Sequence, residues 1–283
     1  MTSHMASVLP AGPLHPFQGP TPTPSQLAIA SQFTHLICFD IDGTILKGGG
    51  GVESSGKEVN RAQHDSFRVA LKEVWGVDGG LEDLEHAGMT DRWILRDLHA
   101  LTKCTLPVEE AIDAAASRME SYVAECGNVG EGLFVLPGIA ALLEALHASG
   151  RVVLGLVTGN LQSIAWGKIK AVGLDKYFVT GGFGSDGEDR GQLIKVAQAR
   201  AAAALPTLPP AHTLQCFHIG DTPRDLEAAV NAGVKGVGTA TGKFSLEELS
   251  TAFPGLTIVP GFGGEGAVGR AVKEVFGLGV GEK

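Results

Sequence analysis

The sequence predicts an α/β protein with a doubly wound parallel sheet, interrupted after its first strand by an all-helical insert. Three observations carry this. From Thr34 onward, short apolar strands alternate with helical patterns, the order expected of a parallel sheet covered on both faces. The strands read as continuous apolar runs, as in His35-Leu-Ile-Cys-Phe-Asp40 and Arg151 to Val157, which suits burial on both sides. Between residues 57 and 126 helical spacing replaces this alternation.

Taken in order, residues 1–33 contain no Asp, Glu, Lys or Arg and carry prolines at 10, 13, 16, 20, 22 and 24. They read as a disordered tail. The strand at His35 follows, then a Gly-rich stretch from Gly48 to Gly51. A helix from about Lys57 is marked by Phe67, Ala70, Leu71, Val74 and Trp75. A shorter helix begins near Thr90. Pro107 opens another, with Val108, Ala111, Ile112, Ala115, Met119 and Val123 on one face. After a second loose joint, Gly127 to Gly138, Ile139 to Leu146 form a helix and Arg151 to Val157 a strand. Further strands are expected at 177–180, 213–219 and 234–238, with helices at 161–172, 190–204 and 223–232. The expected division is a tail at 1–33, a core of 34–50 plus 132–283, and a helical cap at 51–131. Glycine-rich joints at both ends of the insert suit a lid.

With 283 residues, 44 % of them hydrophobic, the chain can bury a sizeable core. A net charge of −9 disfavours nucleic acid and anionic membrane surfaces, and no apolar run is long enough to span a bilayer. Cys38, Cys104, Cys126 and Cys216 lack paired spacing and read as free thiols in a reducing compartment. The expected location is the cytoplasm, with a plastid-type leader as the second reading of the charge-free N-terminus.

Ligands of such folds sit beyond the carboxyl ends of the strands, so the polar residues there come first. Asp40-Ile-Asp42-Gly43-Thr44 contains an Asp-Gly turn, which accounts for Asp42 and Gly43 but not for Asp40, a second carboxylate two residues earlier. A calcium loop counted from Asp42 fails, because Leu46 falls at a ligand position and Lys47 where Gly is needed. Thr158-Gly159-Asn160 taken alone reads first as a helix cap and second as a phosphate-oxygen site. Thr222, Pro223 and Asp225 form a capping box, leaving Asp221 as an unexplained acid at the end of a buried strand. Magnesium, which prefers hard oxygen ligands, would compensate Asp40 together with one or both of Asp221 and Asp225.

These three segments resemble the first, second and fourth motifs of the haloacid dehalogenase superfamily, in order, over about residues 34–260. The helical insert resembles that family's small cap, as in phosphoglycolate phosphatases and beta-phosphoglucomutases. The resemblance implies a Mg2+-dependent phosphatase, a phosphoric monoester hydrolase, in which Asp40 is the nucleophile that becomes an aspartyl-phosphate and Asp42 is the acid–base. It also implies Thr158, Gly159 and Asn160 around the phosphoryl oxygens. Asp40, the Asp42 backbone carbonyl, Asp221 and Asp225 would hold the metal. An acid at position 42 favours phosphate esters over carbon–halogen or carbon–phosphorus substrates.

The third motif departs from the family pattern: no Lys-Pro occurs in Gly181 to Arg190. Arg190 is the chosen phosphate-charge stabiliser because a guanidinium fits phosphate bidentately, with Lys195 the runner-up. In the insert, Gly88-Met89-Thr90-Asp91 resembles the substrate-contacting turn of the cap, against the plain reading of Thr90 or Asp91 as an N-cap. Arg92 and Arg96 are candidates to meet a substrate carboxylate. The expected partner is a small phosphorylated metabolite. A phosphomutase of the beta-phosphoglucomutase type, or a non-catalytic binding protein that would be expected to lack Asp40 or Asp42, are the alternatives. The near P-loop at Gly51 to Lys57 fails, since Glu58 stands where Ser or Thr is required.

Overall fold

The computed structural model describes residues 14–48, 61–81, 84–102, 104–127 and 129–279. The Gly49–Gly51 part of the first joint, the P-loop-like stretch and the expected helix start near Lys57 lie outside these residues. In chain order the elements are α1 (Pro24–Ile29), β1 (His35–Phe39), β2 (Leu46–Gly48), α2 (Arg61–Trp75), α3 (Asp91–Leu101), α4 (Val108–Cys126), β3 (Leu133–Val135), α5 (Ile139–Ala148) and β4 (Val152–Thr158). There follow α6 (Gln162–Ala171), β5 (Thr180–Phe183), α7 (Arg190–Ala204), β6 (Gln215–Gly220), α8 (Pro223–Ala232), β7 (Lys235–Thr239), α9 (Leu246–Ala252), β8 (Thr257–Val259) and α10 (Ala267–Arg270).

Among the described residues the main sheet has six strands in the order β5-β4-β1-β6-β7-β8, every neighbouring pair parallel. The chain leaves β1 toward β4 and β5, then returns to place β6 on the other side of β1. That reversal opens a crevice above the carboxyl ends of β1 and β6. One face of the sheet packs on α5, α6 and the C-terminal segment through Leu142, Leu146, Trp166, Ile169 and Phe276. The opposite face packs on α7 and α8 through Leu193, Ala197, Ala201 and Ala228. This is the expected doubly wound α/β architecture.

The insert has its own apolar centre of Phe67, Leu71, Leu95, Ile112 and Met119, which continues into Leu161 and Ile164 at the start of α6. The cap is therefore seated on the core. Its two connections pair with each other, β2 running antiparallel to β3 with Leu46 opposite Val135.

Two expectations need correction. The strand expected at 177–180 is a 3₁₀ turn at Asp175–Tyr177, and β5 starts at Thr180. Its Thr-Gly-Gly-Phe sequence shows no apolar period because side chains do not fit there: a Cβ on Gly182 would stand 2.0 Å from the Leu193 carbonyl. The tail expected at 1–33 does not hold for residues 14–33, which lie against the core. Phe17 packs on Trp166 and Phe183, the Gln18 N–H donates to Gln162 Oε1 (3.1 Å), and Ala30 and Phe33 are buried. A segment without charge can still be ordered when its few apolar side chains meet an apolar surface, and composition does not show that surface.

Candidate active site

Asp40 follows β1 directly, and its N–H extends the ladder by donating to Ile219 O (2.9 Å). Asp221 follows β6, and Asp225 lies in the first turn of α8. All three are buried, with carboxylate oxygens within 4.8 Å of one another. Arg190, the first residue of α7, reaches the same point: it donates to Asp40 Oδ1 (3.2 Å) and forms a very short contact with Asp225. Lys195 lies further along the same helix.

Three carboxylates facing one guanidinium in a water-poor site carry uncompensated negative charge. Burial pushes Asp40 up to about 7, opposed by Arg190 and aided by Asp225 and Asp42. Burial together with Asp225 and Asp40 pushes Asp221 up to about 8. Asp225 is also buried, yet Arg190, His218 and Thr222 overcome that and bring it down to about 2. This donor set suits a hard divalent cation.

Glycines make the crowding possible. Gly43 has φ +84°, and a Cβ there would stand 2.4 Å from Asp221 Oδ2. One on Gly242 would clash with the same oxygen. The capping box of α8 is present as well: Asp225 Oδ2 accepts from the Thr222 N–H (3.1 Å) and O–H (2.6 Å). The plain and the chemical readings of this segment therefore coexist, one on each oxygen, since Oδ1 faces Arg190 and His218 (3.2 Å).

Asp42 differs from its neighbour. Its side chain is 45 % exposed and accepts from Asn160 Nδ2 (2.8 Å) and from Lys168 Nζ (2.7 and 2.8 Å). Thr158 and Asn160 are buried at the end of β4, with Asn160 Nδ2 also donating to Thr158 Oγ1 (3.1 Å). Among the described residues the buried Asn160 Oδ1 has no partner.

The cap turn rests on this same strand end. Thr90 caps α3 by accepting from the Trp93 N–H (3.2 Å). The Asp91 N–H donates to Gly159 O (2.7 Å), and Asp91 Oδ2 accepts from the Leu161 N–H (2.8 Å). A Cβ on Gly159 would stand 2.2 Å from Met89 O, so only glycine admits this approach. Arg92 and Arg96 are paired already, Arg92 with Asp113 and Arg96 with Glu188 and Glu109. Arg96 thus ties the cap to the core rather than presenting a free cation. A cavity of about 390 Å³ between cap and core is lined in part by Gly88, Trp93, Arg190, Arg224 and Asn231.

Burial pushes Asp91 up to about 7 from an ordinary 3.8. Between these values the folded chain keeps a proton that the unfolded chain has released, so this group lowers stability as pH rises through the window. Asp91→Asn removes that slope. Urea denaturation at pH 5 and pH 8 is expected to show the variant gaining on wild type as pH rises; parallel losses at both pH values would contradict it.

Lys168 and Gln63, which donates to Asp91 Oδ1 (3.0 Å), escaped the sequence reading. In sequence Lys168 resembles Lys170, two residues on and exposed. Only the rotation of α6 against the core separates them.

A strand-end carboxylate cluster at the crossover of a doubly wound sheet, facing a helical insert, is the setting of a hydrolase site. The chain belongs to the haloacid dehalogenase-like hydrolase family, whose sequence profile matches residues 34–233. This agrees with the expectation of a phosphoric monoester hydrolase. The phosphoglycolate phosphatase of Salmonella typhi is 26 % identical over 214 residues, covering 73 % of this chain and 81 % of that protein. That of Escherichia coli O157:H7 is 25 % identical over 218 residues, with the same coverage. Among solved structures, a predicted phosphatase from Clostridium acetobutylicum aligns over 87 % of this chain and all of its own (TM-score 0.57, 20 % identity). CbbY from Rhodobacter sphaeroides with phosphate aligns over 83 % and 97 % (TM-score 0.57, 19 % identity).

Proposed function

We propose that this chain is a magnesium-dependent phosphatase of small phosphorylated metabolites, of the phosphoglycolate or sugar-phosphate kind. The observation that carries this is the buried trio Asp40, Asp221 and Asp225 around Arg190, with the more exposed Asp42 two residues from Asp40. The phosphoglycolate phosphatase relatives and a cavity of small-molecule size support the substrate class.

Asp40, Asp221, Asp225 and the Asp42 carbonyl would hold Mg2+. When bound, it neutralises negative charge at the phosphoryl group and the carboxylates. An Asp40 oxygen attacks phosphorus and the bond to the leaving oxygen breaks, while the Asp42 carboxyl gives that oxygen its proton. Water then attacks the aspartyl-phosphate, yielding its proton to Asp42, and Asp40 and inorganic phosphate separate. Arg190, Thr158 and the amides of Gly159 and Asn160 surround the phosphoryl oxygens. Thr90 and Asp91 serve this site by seating the cap turn on the end of β4, their side chains being committed to the Trp93 N–H and to the Leu161 N–H and Gln63.

Phosphate release from a panel of small phosphoesters tests this. Release is expected with Mg2+ and is expected to vanish in excess chelator, returning when Mg2+ is restored. No release from any ester at any Mg2+ concentration would overturn the phosphatase reading.

A further inference from the structure

Lys168 is fully buried on α6, yet its ammonium sits at the edge of the site. It has three acceptors: Asp42 Oδ1 (2.8 Å), Asp42 Oδ2 (2.7 Å) and, from the cap helix α2, Gln63 Oε1 (2.6 Å). Gln63 passes the connection on, its Nε2 donating to Asp91 Oδ1 (3.0 Å), and Asp91 returns it to the core through the Leu161 N–H (2.8 Å). The chain of contacts therefore leaves the core at Lys168, crosses two cap helices and re-enters the core beside Asn160. A lone buried lysine is costly unless all its donors are used, and here they are used on these two side chains.

The two neighbouring carboxylates are thus given separate cations, Arg190 for Asp40 and Lys168 for Asp42. Lys168 engages both oxygens of Asp42 and Asn160 one of them, which sets where this carboxyl lies; to serve as acid it takes a proton from solvent in exchange for one Lys168 contact. We propose that Lys168 is the positioning residue for Asp42, and that through Gln63 it makes that position depend on the seating of the cap. This rests on the phosphatase reading above and deepens it. A cap that lifts would withdraw Gln63 and Asp91 together, leaving Lys168 and Asp42 free to reorient; proton transfer to the leaving oxygen would then be coupled to closure.

The test compares esters whose leaving groups differ in their need for a proton. An alkyl phosphate must have its alkoxide protonated as it departs, whereas the nitrophenolate of p-nitrophenyl phosphate leaves without help. In the full chain with Mg2+, Lys168→Met is expected to lower kcat/KM for alkyl phosphates by about 100-fold, the scale of a lost acid–base contribution, and for p-nitrophenyl phosphate by no more than about threefold. Gln63→Leu, which leaves the ion pair intact, is expected to show the same selective loss at about tenfold. Combined with Lys168→Met it should add little, because the two act through one connection. Equal losses on both ester classes, or additive losses in the double variant, would overturn the role of Lys168 while leaving the phosphatase reading in place. A wild type inactive on both classes would overturn both. Should Lys168→Met fail to fold, the Gln63→Leu discrimination alone decides the matter.

Discussion

Asp40→Asn is expected to lose at least about 10⁴-fold in phosphate release, the scale seen when a nucleophile is removed and only binding and electrostatic groups remain. The variant keeps the shape and most hydrogen bonds of the site but presents an amide that does not attack phosphorus. It should also fold. Burial and its acidic neighbours hold Asp40 up to about 7, so near that pH the ionised form is already disfavoured. A neutral amide relieves this repulsion, and without metal at pH 8 its melting temperature should equal or exceed that of wild type. Lost activity with an unchanged or higher melting temperature separates a chemical role from a folding defect. Retained activity would remove Asp40 from the chemistry.

The second large effect is expected at Arg190. It is the one guanidinium that touches both Asp40 and Asp225 among the described residues, and it is itself buried. Arg190→Met leaves two buried carboxylates without their cation, a change that typically costs about 3–5 kcal/mol. Urea denaturation should register this loss at neutral pH and show part of it recovered with Mg2+, since a second cation then faces the same oxygens. Turnover should fall about 10²–10³-fold or more through loss of a charge-stabilising donor. Arg190→Lys should lie between, because one ammonium does not span both acids as a guanidinium does. A stable and active Arg190→Met would mean that the third-motif duty rests on another residue.

Much of the architecture was legible because its signals are local. Short, largely apolar segments followed directly by an acid mark β1 and β6, and the capping box Thr222 to Asp225 is a pattern of neighbours. The helix expected at 190–204 is α7, and the structure adds that Asp189 caps its start. β8 and α9, short and weakly patterned, escaped notice, and β5 falls at Thr180–Phe183 instead of the expected 177–180, because glycines replace the apolar residues a strand usually shows.

The sequence by itself determined the order of strands and helices, the placing of Asp40, Asp42, Thr158 and Asp221 at strand ends, and the helical insert. These depend on periodicity and chain neighbours, which a linear text contains. Tertiary structure alone decided that Arg190 enters the carboxylate cluster, that Arg92 and Arg96 are committed to acidic partners, and that residues 14–33 cover part of the core. It alone turned Lys168 inward onto Asp42 and joined it to the cap through Gln63, 105 positions away. The physical reason is common to all of these: a charged side chain's role depends on which opposite charge it meets after burial, and that meeting is between residues distant in the chain.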